Sequence, residues 1–122
     1  MANILVLDDV FDAVNLLKRI LTKKGHQVVG FTEEEDAVNH TRTNPVHLAI
    51  LDIKLKKIDG VEVLAELKKI QPQIKVIMLT GYPTLESARE SLRLGANEYC
   101  VKPIDKDEIE EKVEKVLGDS AS

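Results

Sequence analysis

Leu48-Ala49-Ile50-Leu51-Asp52 is an unbroken apolar run that stops on a carboxylate, and Ile4-Leu5-Val6-Leu7-Asp8-Asp9 repeats the arrangement near the N-terminus. Val76-Ile77-Met78-Leu79-Thr80 ends on a hydroxyl, and the shorter Tyr99-Cys100-Val101-Lys102 ends on an ammonium. Short continuous apolar runs bounded by turn signals read as strands covered on both faces. Scattered surface charges have no reason to fall only at the ends of such runs. The polar terminators Asp8-Asp9, Asp52, Thr80 and Lys102 therefore carry the information, and the fold decides whether they meet.

Helical patterns fill the intervals. Val14, Leu17, Ile20 and Leu21 recur at a period near 3.6 residues, and Gly25 stops that helix. Val28-Val29-Gly30-Phe31 is a weaker strand. Thr32 with Glu35 three residues on has capping-box spacing, which predicts a helix opening there and ending near Asn44-Pro45. Gly60 precedes a helix whose apolar face is Val63, Leu64, Leu67 and Ile70, closed by Gln71-Pro72. Thr84 caps a helix that ends at Gly95. Asp105 with Glu108 opens the last helix, faced by Ile109, Val113, Val116 and Leu117.

The pattern is five βα units. Strands joined by helical crossovers are parallel, and the crossovers are right-handed. The first, third and fourth strands are continuously apolar and belong in the middle of the sheet. The second and fifth are mixed and belong at its edges. The expected fold is α/β, a doubly wound five-stranded parallel sheet of order 2-1-3-4-5, (βα)5 and flavodoxin-like. In that order the chain reverses direction between strands one and three, and ligands bind outside the carboxyl ends of the strands at the reversal. Asp8, Asp9 and Asp52 end those two strands, with Thr80 and Lys102 beside them. The edge second strand contributes nothing chemical.

Bulk properties narrow the class. At 122 residues the chain fits one domain, expected over residues 1–118 with a small polar tail at 119–122. A net charge of −4 gives no electrostatic footprint for nucleic acid. Cys100 is the only cysteine, so an internal disulfide is excluded, as suits a reducing cytosol. No stretch approaches the roughly 20 apolar residues of a membrane span, and Met1-Ala2-Asn3-Ile4 does not open as a signal peptide. The expected location is cytoplasmic, without membrane contact.

The chemistry follows from charge. Carboxylates near one another repel by about 1 kcal/mol per pair at 4 Å in water, and about 4 kcal/mol at an effective dielectric of 20. A cation relieves that repulsion, and all-oxygen ligation suits Mg²⁺, with Mn²⁺ as a substitute ion. Lys102 adds a positive charge on a flexible stem and Thr80 a hydroxyl donor. Metal, ammonium and hydroxyl together suit a transferring phosphoryl group. Asp52 is the best nucleophile, because aspartyl phosphate is an established covalent intermediate. Taken singly, Asp8 or Asp9 reads equally well as a helix cap, Thr80 as a turn residue and Lys102 as a solvated lysine.

Val6-Leu7-Asp8-Asp9, Leu51-Asp52 with Asp59-Gly60, Leu79-Thr80-Gly81 and Val101-Lys102-Pro103, in this order, resemble the bacterial response-regulator receiver domain over essentially the whole chain. The resemblance implies that Asp52 accepts a phosphoryl group and that Asp9, Asp52 and the backbone carbonyl of Lys54 bind Mg²⁺, with Asp8 acting largely through water. It implies that Thr80 and Lys102 contact the phosphoryl oxygens. Tyr99 would be the aromatic switch that turns inward as Thr80 moves, and the Lys102-Pro103 bond would be cis. The partners implied are a histidine kinase or phosphotransfer protein and a downstream effector protein or domain, reached through the fourth helix, fifth strand and fifth helix. Leu85, Arg89, Leu92 and Arg93 are candidate contacts there, though Leu85 and Leu92 also fit a core face. Such a domain is not an enzyme in the usual sense; it assists its own phosphorylation and dephosphorylation.

The loop after Asp52 departs from the family. Lys56 stands where the family usually has proline, within the basic run Lys54-Leu55-Lys56-Lys57. Lys54 and Tyr82, each two residues past Asp52 and Thr80, are expected to border the phosphoryl group and shield it from water, a pair similar to that of standalone phosphorelay receivers. Tyr82-Pro83-Thr84 resembles regulators of ATP-dependent transcription activators. Two other classes compete. An aspartate-nucleophile phosphatase usually carries a second acid two residues after the first, where this chain has Lys54. An unphosphorylated scaffold usually lacks one of the acids, the threonine or the lysine, and none is missing here. The acidic run Glu33–Asp36 reads as a dipole-complementing first turn, and His26, His40 and His47 lack metal-ligand spacing.

Overall fold

A computed structural model describes residues 1–53 and 59–119. The elements alternate strictly: β1 Asn3–Leu7, α1 Phe11–Lys23, β2 Gln27–Phe31, α2 Glu34–Thr43, β3 Leu48–Asp52, α3 Gly60–Ile70, β4 Lys75–Thr80, α4 Leu85–Arg93, β5 Glu98–Val101 and α5 Lys106–Asp119. The five strands form one parallel sheet in the order β2-β1-β3-β4-β5. Both the doubly wound topology and the edge placement of β2 and β5 match the sequence expectation.

Strand periodicity divides the core. Ile4 and Val6, Leu48 and Ile50, and Ile77 and Leu79 point to one face, where Leu17 and Leu21 of α1 and Ile109, Val113 and Val116 of α5 cover them. The alternate residues Leu5, Leu7, Ala49, Leu51, Val76 and Met78 point to the other, under Ala37 of α2 and Val63, Leu64 and Leu67 of α3. Each central strand is thus apolar along its length because both of its faces are covered. Gly25 and Gly95 follow α1 and α4 with φ of +91° and +102°, which only glycine adopts without strain.

Thr84 caps α4 as expected, by a reciprocal box with Ser87, and Asp105 Oδ1 accepts from the Asp107 and Glu108 amides at the start of α5. The Thr32–Glu35 box does not form. The residue that caps α2 is Glu33, and no side chain bonds the helix start. Three acids, Glu34, Glu35 and Asp36, occupy the first turn and stabilise it by charge against the helix dipole instead.

Gln71 does more than end α3. Its amide donates to the carbonyls of Thr41 (2.8 Å) and Asn44 (2.7 Å), and its Oε1 accepts from the Val46 amide (3.0 Å). One side chain thereby satisfies the orphan groups of the α2–β3 connection.

Candidate functional site

The register of the sheet brings the polar terminators to one edge. Leu7 pairs with Leu51, Asp52 with Leu79, and Thr80 with Val101, so β1, β3, β4 and β5 end side by side. Asp8 and Asp52 are 1% and 5% exposed, Thr80 is fully buried, and Asp9 and Lys102 are partly exposed. Asp8, Asp9 and Asp52 each present a carboxylate oxygen within 4.8 Å of the others.

Backbone contacts fix each residue. The Asp8 amide donates to the Phe31 carbonyl (3.1 Å), and Asp8 Oδ1 accepts from the Val10 amide (2.9 Å). The Lys102 amide donates to the Thr80 carbonyl (2.8 Å), which ties the end of β5 to the end of β4. Thr80 Oγ1 accepts from the Tyr82 amide (3.0 Å) and shapes the turn into α4. Asp59 caps α3 through the Val61 amide (2.8 Å), and the Gly60 amide donates to the Ile53 carbonyl (2.7 Å). A Cβ at residue 60 would overlap the Asp52 carbonyl oxygen, so only glycine lets α3 begin this close to Asp52. The Lys102-Pro103 bond is cis, as the resemblance implies.

Charge dominates the site. Lys102 Nζ lies 2.8 Å from Asp8 Oδ2 and 3.7 Å from Asp52 Oδ2. Burial pulls the Lys102 pKa down, but Asp8, then Asp52 and Asp9, outweigh it and hold the ammonium above the ordinary lysine value. Among the described residues, Lys102 brings an ammonium within 4 Å of Asp8 and Asp52, with Asp9 beside them. Asp8 Oδ2 takes the nearer, charge-assisted contact from this ammonium, and Asp52 Oδ2 stands farther off. Acids this close and this buried repel one another unless a further cation reaches them. Three clustered carboxylates, two of them buried, fit a hard divalent cation that takes oxygen ligands.

The remaining expectations fall out unevenly. Asp8, Asp9, Asp52, Thr80 and Lys102 come together. Tyr82 sits at the turn after β4 with its side chain 69% exposed. Tyr99 is partly buried on β5, with its hydroxyl 3.0 Å from Ser87 Oγ. Ser87 carries no signal in the sequence beyond the Thr84-x-x-Ser87 spacing of a capping box. The Lys54 carbonyl and side chain, and Lys56 and Lys57, lie outside the described residues. Leu85 and Leu92, which could have been core, are 68% and 58% exposed.

Comparison with known proteins gives a consistent result. Residues 4–114 match the response regulator receiver domain family. The chain is 35% identical over 114 residues to sporulation initiation phosphotransferase F of Bacillus subtilis, covering 93% of this chain and 92% of that one. It is 32% identical over 116 residues to the transcriptional regulatory protein ZraR of Salmonella typhimurium, covering 95% of this chain but only 26% of the relative. This chain therefore spans about a quarter of the length of such regulators. Among solved structures, a CheY-like response regulator receiver domain protein from Methanospirillum hungatei superposes with a TM-score of 0.94 at 32% identity, covering 98% of this chain and 95% of that one. NtrX of Brucella abortus superposes at 0.92 and 32% identity, with 28% of its chain covered.

Proposed function

The chain belongs to the response regulator receiver domain family, matched over residues 4–114, and from that membership we propose a phospho-acceptor switch in which Asp52 takes a phosphoryl group from a phosphohistidine or a small acyl phosphate. The carrying observation is the position of Asp52, buried beside Asp8 and Asp9 and 3.7 Å from Lys102 Nζ. In the transfer an Asp52 carboxylate oxygen attacks phosphorus. The new O–P bond forms as the N–P bond to the imidazole breaks, and the imidazole keeps the electron pair and takes up a proton. With a small acyl phosphate the carboxylate leaves instead.

Asp9 and Asp52, with Asp8 in support, would hold Mg²⁺, which supplies charge neutralisation for the phosphoryl oxygens. The Lys54 carbonyl is the further ligand proposed. Lys102 would pair with one phosphoryl oxygen and the Thr80 hydroxyl would donate to another. Thr80 Oγ1 already accepts the Tyr82 amide, so drawing Thr80 toward the phosphoryl group perturbs the turn that leads into α4. Tyr99 would follow, and the α4-β5-α5 face would change. Leu85, Leu92 and Val101 are exposed on that face and supply apolar contact area for an effector, as a separate protein or an attached domain. The partners proposed upstream are a histidine kinase or phosphotransfer protein, and the location proposed is cytoplasmic; no described helix is long and apolar enough to cross a membrane. The switch unit is proposed to span residues 1–118.

Lys54 and Tyr82 are proposed to set the lifetime of the acyl phosphate rather than its formation. Tyr82 is suited to this because its backbone amide is bonded to Thr80 Oγ1 and the residue is exposed at the turn after β4. The function is tested by incubating the protein with acetyl phosphate, with Mg²⁺ or with EDTA, and weighing it intact. A single phosphoryl adduct that needs Mg²⁺ supports the reading; no adduct with Mg²⁺ defeats it.

A further inference from the structure

We propose that Ser87 is a positioning residue whose hydroxyl latches Tyr99 to the first turn of α4, so that the Tyr99 ring and the start of α4 are released together. The coupling of this latch to phosphorylation rests on the reading of Asp52 as acceptor; the latch itself does not.

Tyr99 Oη lies 3.0 Å from Ser87 Oγ. The same Ser87 Oγ lies 2.9 Å from Thr84 Oγ1 and 3.1 Å from the Thr84 carbonyl, and the Ser87 amide donates to Thr84 Oγ1 at 3.0 Å. A serine hydroxyl has one proton and two lone pairs. The Thr84 amide reaches the same oxygen more weakly, at 3.4 Å. The three closer partners are all satisfied when Ser87 donates to the Thr84 carbonyl and accepts from the Thr84 and Tyr99 hydroxyls. Tyr99 is then a donor into the capping box, and its withdrawal unbalances the cap that starts α4.

A second observation makes this contact matter. The inward side of α4 carries hydroxyls rather than large apolar groups. Among its residues only Ser91 is buried, and Ser91 Oγ donates back to the Ser87 carbonyl at 2.7 Å. The large apolar residues of the helix, Leu85 and Leu92, face solvent. Apolar contacts tolerate small slides, whereas hydrogen bonds weaken steeply with angle. The Ser91 bond stays within α4, so it is the Tyr99–Ser87 bond that links the start of the helix to β5. On the other side the Tyr99 carbonyl accepts from Lys112 Nζ of α5 at 3.4 Å, a contact that turning the ring does not break.

The test has two arms, each with Ser87→Ala, Tyr99→Phe, the double variant and Ser87→Thr. In the unphosphorylated protein, hydrogen exchange is read at the Ser87 and Ala88 amides, which bond to Thr84. Each single variant is expected to exchange about fivefold faster, the equivalent of about 1 kcal/mol for one hydrogen bond. The double variant is expected to be no faster than Ser87→Ala, and Ser87→Thr to return to the wild-type rate. Tyr99→Phe leaves the capping residues untouched, so a purely structural cap would leave its exchange unchanged, and that result overturns the latch. In the second arm, Tyr99→Phe and Ser87→Ala take up phosphoryl from acetyl phosphate with Mg²⁺ about fivefold faster than wild type, because the latch opposes the phosphorylated arrangement; equal rates overturn its coupling to the switch. A wild-type protein that takes up no phosphoryl fails the Asp52 reading instead, and the exchange arm still decides the latch.

Discussion

Lys102 Nζ and Asp8 Oδ2 face each other at 2.8 Å across the carboxyl edge of the sheet, and this ammonium is the positive charge seen within 4 Å of the acids among the described residues. The pair offsets part of the repulsion among the three carboxylates. It also makes Lys102 and a bound cation alternative ways of offsetting the same repulsion.

Replacing Lys102 by methionine separates these two contributions. In EDTA the variant loses the counter-charge and is expected to be less stable by on the order of 2 kcal/mol. Mg²⁺ should then raise its melting temperature more than it raises that of wild type, since a ligand present at about 100 times its Kd stabilises by about 2.7 kcal/mol and the repulsion to be relieved is larger. Asp9→Ala should show the smallest rise. Thermal melts with and without Mg²⁺ measure all three, and an equal rise in all would refute metal binding by this cluster.

Gly60→Ala should injure the site from outside it. The new methyl would overlap the Asp52 carbonyl, so either α3 or the end of β3 must shift. The expected cost is about 1–3 kcal/mol of stability, the usual range for overpacking, together with slower phosphoryl uptake. Urea melts and the uptake rate read the two effects, and a variant normal in both would show that α3 does not support Asp52.

His26 predicts a dependence on pH at the opposite end of the sheet. His26 Nδ1 accepts from the Ala2 amide at 3.1 Å, which requires a neutral ring. Burial, then the N-terminal ammonium, lowers the His26 pKa below the ordinary 6.5; Lys24 acts in the same direction and Glu114 against it. A lowered pKa in a base means that the folded protein binds fewer protons than the unfolded chain in that range. The stabilising effect is present above the unfolded pKa and is lost as pH falls from about 6.5 through the folded value. Between about pH 7.5 and pH 5.5 the wild type should therefore lose more stability than His26→Asn, whose amide does not titrate there. Identical slopes would contradict the contact.

Tyr82→Ala should shorten the life of the phosphorylated form while leaving the rate of its formation within about twofold, because the ring is proposed to limit access of water rather than to assist transfer. Lys54→Asn should act in the same way. Phosphate release after removal of the donor is the measurement, and unchanged release in both variants would remove their proposed role.

Much of this molecule is legible in its sequence for a specific reason. Buried parallel strands write themselves as continuous apolar runs, so Ile4–Leu7, Leu48–Leu51 and Val76–Leu79 declare themselves as central, and the residues that end them fall at one edge by topology alone. Relationships that cross between elements leave weaker traces. Gln71 looked like a helix end before Pro72, although its three bonds hold the α2–β3 connection. Leu85 and Leu92 have the spacing of a core face yet point outward, because α4 buries Ser91 instead and Ser87 reaches Tyr99 of β5. Thr32 has the spacing of a cap that the acids of the first turn make unnecessary. Periodicity reports which residues could be buried; it does not report a hydroxyl that finds its partner on another element.

The central claim is that Asp52, and neither of its neighbouring acids, accepts the phosphoryl group. After incubation with acetyl phosphate and Mg²⁺, borohydride reduction converts an aspartyl phosphate to homoserine, which peptide mass mapping locates to a single residue. The account predicts conversion at position 52 in the wild type and no conversion anywhere in Asp52→Asn. Conversion at Asp8 or Asp9 in the wild type, or an undiminished adduct in Asp52→Asn, would contradict it.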